Sequence, residues 1–228
     1  KMKRAIIMLF TLLVLIVGCA KEKSESSSNS SNNYNNFWNY FNSVKIKAEN
    51  IENLTTDEQK QLLNGIQEQL AKIDPNLSLE LSGKNRELVI TAGGIKGSFS
   101  EVEKLVSSAP KDLEWKVTAF KPRIAIPFSL KFDDSFSLDT DKIFFNVEES
   151  GNYLNIHVYF EGQEELQELQ IKQVIYGFLD GIIGEYDTET YIGAIESGKE
   201  TNAESLNAEN FLKRVNDFKE KIKTSKTE

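Results

Sequence analysis

The chain has 228 residues, a formal net charge of −8, one cysteine and one histidine. The acid excess argues against nucleic acid and against electrostatic adhesion of the whole body to anionic lipid. A single cysteine excludes an intramolecular disulfide, so the fold rests on its apolar core, and the length suits one domain or two small ones.

Lys1, Lys3 and Arg4 precede residues 5–17, of which Thr11 is the one polar member. A cationic segment followed by a short apolar one has the build of an export signal, and a permanent span needs about 20 apolar residues. The tetrad Ile16-Val17-Gly18-Cys19 closes the run. It resembles the lipobox of bacterial lipoproteins. The resemblance implies cleavage between Gly18 and Cys19, acylation of the Cys19 sulfur (a palmitate-type chain among those carried), and a mature protein held at the cell envelope by lipid. Ala20 stands where aspartate marks inner-membrane retention in that class, which implies the outer membrane if the organism has two membranes. Loss of residues 1–18 leaves a chain of about −11, since Lys1, Lys3 and Arg4 are the only charges in that segment.

Residues 19–36 then carry the lipidated cysteine and a Ser/Asn-rich tether without aliphatic residues after Ala20. Such a composition cannot offset chain entropy, so it is expected to be disordered. A flexible coil of about 16 residues, Lys21 to Asn36, reaches roughly 20–24 Å. Residues 37–222 are expected to form an α+β domain, and residues 223–228 a disordered tail.

Phe37, Phe41, Val44, Ala48 and Ile51 have the spacing of an amphipathic helix. Thr55 with Glu58 predicts a capping box for a second helix, whose stripe is Leu62, Ile66 and Leu70 and which Pro75 stops. Leu77, Leu79 and Leu81 alternate with polar residues, and a turn at 83–85 leads to a strand over 86–92. Ser100 with Glu103 suggests another capping box for a helix over 100–108. Strands are expected over 113–121 and 124–130, the second disturbed by Pro122 and Pro127. An acidic loop covers 133–141. Residues 143–147 and 153–160 read as a hairpin, 163–183 as one long helix with Leu169 facing inward and Gly184 as its cap, and 188–195 as a last strand. Phe211, Val215, Phe218 and Ile222 mark a terminal helix. The resulting order is βαββαβ with added strands and terminal helices. It predicts a ferredoxin-like antiparallel sheet with helices packed on one face.

The segments Arg86-Glu87-Leu88-Val89-Ile90-Thr91-Ala92, Ser108-Ala109-Pro110, Ala119-Phe120-Lys121-Pro122-Arg123, Leu179-Asp180-Gly181 and Gly184-Glu185-Tyr186-Asp187 resemble a family of uncharacterised bacterial proteins. The resemblance implies a shared fold and no mechanism.

Two places carry chemistry-bearing residues. On the strand 153–160, Tyr153, Asn155, His157 and Tyr159 fall on the face opposite Leu154, Ile156, Val158 and Phe160, and Phe120 and Phe144 are expected beside them. That face is a candidate ligand surface, weighed against burial beneath helices. Glu185 and Asp187, just past the glycine cap, are a candidate acidic site, since paired carboxylates serve as acid and base when one is buried; a solvated turn is the alternative. Asp133, Asp134, Asp139 and Asp141 lack the glycine and distal glutamate of a calcium loop, and no spacing announces a metal or other cofactor. The reading that follows is a non-enzymatic binding or interaction module on a lipid anchor, with an unknown protein or small-molecule ligand and no nucleic acid. A carboxylate-dependent hydrolase using Glu185, Asp187 and His157, or a purely structural envelope protein, are the alternatives.

Overall fold

The computed structural model describes residues 27–132, 136–198 and 200–225. They divide after Lys121 into two compact units.

The first unit opens with α1 (Ser27–Glu49), followed by a 3-10 turn (Ile51–Asn53) and α2 (Thr56–Ala71). The predicted capping box is present: Glu58 N–H donates to Thr55 Oγ1 at 3.4 Å and Thr55 N–H donates to Glu58 Oε2 at 3.0 Å. Strands β1 (Ser78–Ser82) and β2 (Glu87–Thr91) form an antiparallel hairpin. Helix α3 (Phe99–Ser107) then returns the chain so that β3 (Lys116–Ala119) lies parallel to β2, in the order β1-β2-β3. Leu88 and Ile90 of β2 are buried with Phe37, Trp38 and Phe41 of α1, Ile66 and Leu70 of α2, and Val102 and Leu105 of α3. The capping box expected at Ser100 does not form, because α3 starts earlier, with Ser98 at its cap and no side-chain bond there.

The expectation of a disordered tether over 19–36 fails from Ser27 onward, for ten of its eighteen residues. Residues from Ser27 are helical, and Tyr34 is 8% exposed. Composition missed this because the Ser/Asn run holds one aromatic at the spacing of the apolar stripe. Tyr34 is three residues before Phe37 and seven before Phe41, on the same helix face.

The second unit contains β4 (Ser129–Lys131) and β5 (Ser137–Asp139), an antiparallel pair, then β6 (Ile143–Ser150) and β7 (Tyr153–Phe160). Helices α4 (Glu168–Ile183) and α5 (Glu185–Tyr191) precede β8 (Ile192–Ser197), and α6 (Ala208–Ser225) ends the described chain. β6 and β7 are antiparallel, β8 is parallel to β7, and the order is β6-β7-β8. Leu206 adds a bridge on the outer side of β6 through two backbone bonds with Phe145, at 2.8 and 2.9 Å. The core joins Phe145, Leu154, Ile156, Val158 and Phe160 of the sheet to Phe178 and Ile182 of α4 and to Phe211, Val215 and Phe218 of α6.

Several boundaries differ from the sequence reading. The long helix is broken: Gln163–Glu165 is a 3-10 turn, Leu166 is extended, and α4 starts at Glu168. Leu169 is consequently 69% exposed instead of inward. Gly184 does cap α4, at φ +89°, but the helix Glu185–Tyr191 takes in the first four residues of the expected strand, so β8 begins four residues late. The strand expected over 124–130 reduces to Ser129–Lys131, beyond the cis bond before Pro127. The terminal helix extends to Ser225, into the expected tail.

The α+β class is as the sequence implied, and the βαββαβ order runs along the chain. Its strands are shared between two three-stranded sheets, each a hairpin plus one parallel strand. The physical reason lies where β3 ends. Phe120 takes φ +63°, and Pro122 follows with no N–H to donate, so ladder pairing stops there.

Candidate functional site

Strand β7 alternates as its sequence demands. Leu154, Ile156, Val158 and Phe160 are buried, while Tyr153 and His157 are exposed and Asn155 and Tyr159 half-buried. As the middle strand, β7 sets these side chains between two neighbours. Phe144 of β6 stands opposite Tyr159, Asn146 opposite His157, Glu148 opposite Asn155 and Ser150 opposite Tyr153. On the other side, Glu196 of β8 is level with His157. Five of the six residues proposed for a ligand surface therefore share one sheet face. Phe120 does not: it belongs to the first unit, where it is buried against Phe99 with ring centroids 4.5 Å apart.

Much of this face is already committed to holding itself together. His157 Nδ1 lies 3.3 Å from Glu196 Oε2, an exposed pair. Ser205 donates its hydroxyl to Asn146 Oδ1 at 2.9 Å. Asn155 Oδ1 accepts the N–H of Ala194 at 2.9 Å, at the point where β8 bulges away from β7. That bulge needs Gly193: a Cβ there would sit 2.5 Å from Asn155 Oδ1 and 3.0 Å from the Tyr153 Cβ. Asn155 is thus a splint for the edge strand. The rings of Tyr153, Tyr159 and Phe144 make up the uncommitted apolar part.

Glu185 and Asp187 occupy the first turn of α5, where the helix N-terminus favours negative charge. Their surroundings differ. Glu185 is 0% exposed. Asp187 forms an ion pair with Lys219 of α6, whose ammonium also lies 5.4 Å from the Tyr191 ring centroid. Thr188, buried beside them, donates its hydroxyl to the Gly184 carbonyl at 3.0 Å. The solvated turn weighed as an alternative is instead a buried helix start. Glu185 is enclosed and Asp187 is held by Lys219, while His157 is on the solvent-exposed face of the sheet.

Asp139 accepts from Ser129 inside the β4–β5 pair and Asp141 is in a 3-10 turn; Asp133 and Asp134 lie outside the described residues, as do Gly18 and Cys19. Among the described residues no cluster of three His, Cys, Asp or Glu could hold a metal. Sequence reasoning missed Gly193, Glu196 and Lys219. Only Gly193 carried a signal, as a lone glycine in a strand pattern. No protein-family model, curated protein or solved structure matches the chain.

Proposed function

We propose that the chain is a bacterial lipoprotein, held at the cell envelope by acyl chains on Cys19, whose α+β body is a non-enzymatic binding module. The observation that carries the anchor is the tetrad 16–19 closing a thirteen-residue apolar run that follows a cationic segment. Two acyl chains give stable attachment at about 0.8 kcal/mol per buried methylene. Among the described residues no helix is long and apolar enough to cross a membrane. If the organism has two membranes, Ala20 favours the outer one.

Binding is favoured over hydrolysis because His157 stands on the exposed sheet face while Glu185 is buried, whereas Tyr153, Tyr159 and Phe144 offer an accessible aromatic surface for a protein or small-molecule ligand. The exposed Tyr153 and His157 also favour binding over a purely structural role. The acid balance disfavours nucleic acid. Cys19→Ser is expected to move the protein from the membrane to the soluble fraction, and mass spectrometry of the unaltered protein to show acylation at Cys19. Full membrane retention of Cys19→Ser, or an unmodified thiol on an intact leader, would overturn the anchor.

A further inference from the structure

The side of α1 that faces away from the core has its own composition. Asn35, Asn39, Asn42, Ser43 and Ile46 recur at intervals of three and four and are exposed, with Lys47 at the margin. Ile46 is 65% exposed, at the C-terminal end of the stripe. In a chain of charge −8, α1 has two lysines and one acid, Glu49, which Arg86 neutralises at 3.3 Å. The stripe cannot roll inward. Trp38 Nε1 donates to the Leu105 carbonyl at 3.1 Å and to Ser108 Oγ at 3.0 Å, and Tyr34 donates to Glu101, so the opposite side is fastened to α3.

Only residues 20–26 separate Cys19 from Ser27, and seven residues span at most about 25 Å. We propose that this stripe of α1 rests on the phospholipid headgroups of the membrane that carries the anchor, a contact that presupposes lipidation of Cys19. The chemistry suits that partner. Asparagine amides donate to phosphodiester and ester carbonyl oxygens, Lys47 meets phosphate, and Ile46 enters the interface to a depth of about 5–10 Å. This helix side carries no acid, so it escapes the repulsion that the acidity of the chain as a whole sets against adsorption.

Little intrinsic affinity is needed, because a short tether supplies an effective concentration of order mM. A second copy is a poorer occupant: a stable dimer buries about 800 Å² per partner around an apolar centre, and one polar helix stripe with a single isoleucine lacks that centre.

The test uses the full lipidated chain in vesicles of phosphatidylethanolamine with a minority of phosphatidylglycerol. Acylation of Cys19 leaves an introduced cysteine as the one site for a spin label. Labels at Asn39→Cys or Ser43→Cys are expected to be relaxed by nickel-chelating lipid headgroups at least about threefold more than a label at Lys116→Cys, on the polar face of the first sheet, as a tethered contact occupied most of the time requires. In the presence of Asn39→Asp, Ser43→Asp and Ile46→Asp, a label at Asn42→Cys is expected to fall to the Lys116→Cys level while the protein still floats with the vesicles. Flotation with equal relaxation at all labels overturns the headgroup contact and leaves the anchor standing. Dipolar broadening between labels at Asn39→Cys overturns it in favour of a second copy. Loss of flotation by the unaltered chain overturns the anchor and the contact together.

Discussion

Tyr34 fastens the early turns of α1 to α3. Its hydroxyl donates to Glu101 Oε2 at 2.5 Å from a ring that is 8% exposed. Burial, the bond itself and the Glu101 charge push the phenol up to about 12. Burial raises the Glu101 carboxyl, but bonds from Lys104 and Tyr34 outweigh it and hold the group below its ordinary value. The signs fix two pH windows. The raised phenol contributes stability that is whole below about pH 10 and is lost as pH climbs through about 12; the lowered carboxyl contributes stability present above its unfolded value and lost as pH falls. Tyr34→Phe is expected to cost about 1–2 kcal/mol in urea unfolding at neutral pH and to remove the phenol's share of the alkaline loss. A variant as stable as the parent would show that the bond holds nothing. Gly193→Ala, with its new methyl 2.5 Å from Asn155 Oδ1, is expected to disturb the β8 bulge and broaden or shift amide resonances of Tyr153, Asn155 and Ala194.

Among the elements, α4 tests packing against propensity. A Cβ at Gly181 would lie 2.6 Å from Phe128 Cζ and 2.9 Å from its Cε2. Alanine improves helix propensity by about 1 kcal/mol, while overpacking costs about 1–3 kcal/mol. Gly181→Ala is therefore expected to lower the urea midpoint, and Phe128→Leu to recover part of the loss in a double-mutant cycle. Additive effects would show that the ring moves aside freely. The same helix shows what a sequence discloses. Val174, Phe178 and Ile182 keep strict helical spacing and are buried as that spacing implies. The break before Glu168 left no comparable trace, since the apolar rhythm of Leu166 and Leu169 continues across it. Strand β7 was legible because alternation is a local property of eight residues. The partner of β3 was not, because pairing is decided by residues far apart in the chain. At the candidate site, the face of Tyr153, His157 and Tyr159 could be read from alternation alone. The pairing of Asp187 could not, since it depends on Lys219 of a distant helix.

At the scale of the molecule, each unit has its own apolar cluster, one built around Phe37, Phe41 and Ile90 and the other around Phe145, Phe178 and Phe211. Fragments ending at Lys121 and beginning at Pro122 are each expected to unfold cooperatively, with near-ultraviolet circular dichroism of a packed interior. A fragment with secondary structure but no such signal would mean that its cluster is incomplete. The second cluster has a particular dependence on chain order. Phe211 of α6 stacks on Phe145 with centroids 4.0 Å apart, and Val215 and Phe218 bury beside it. Helix α6, made after every other described element of that unit, is thus the lid of an interior whose floor is laid by β6. A nascent chain that stalls before Ala208 would present Phe145 uncovered to chaperones and proteases. A copy without α6 is thereby marked, to any factor that binds exposed apolar surface, by one bared aromatic ring.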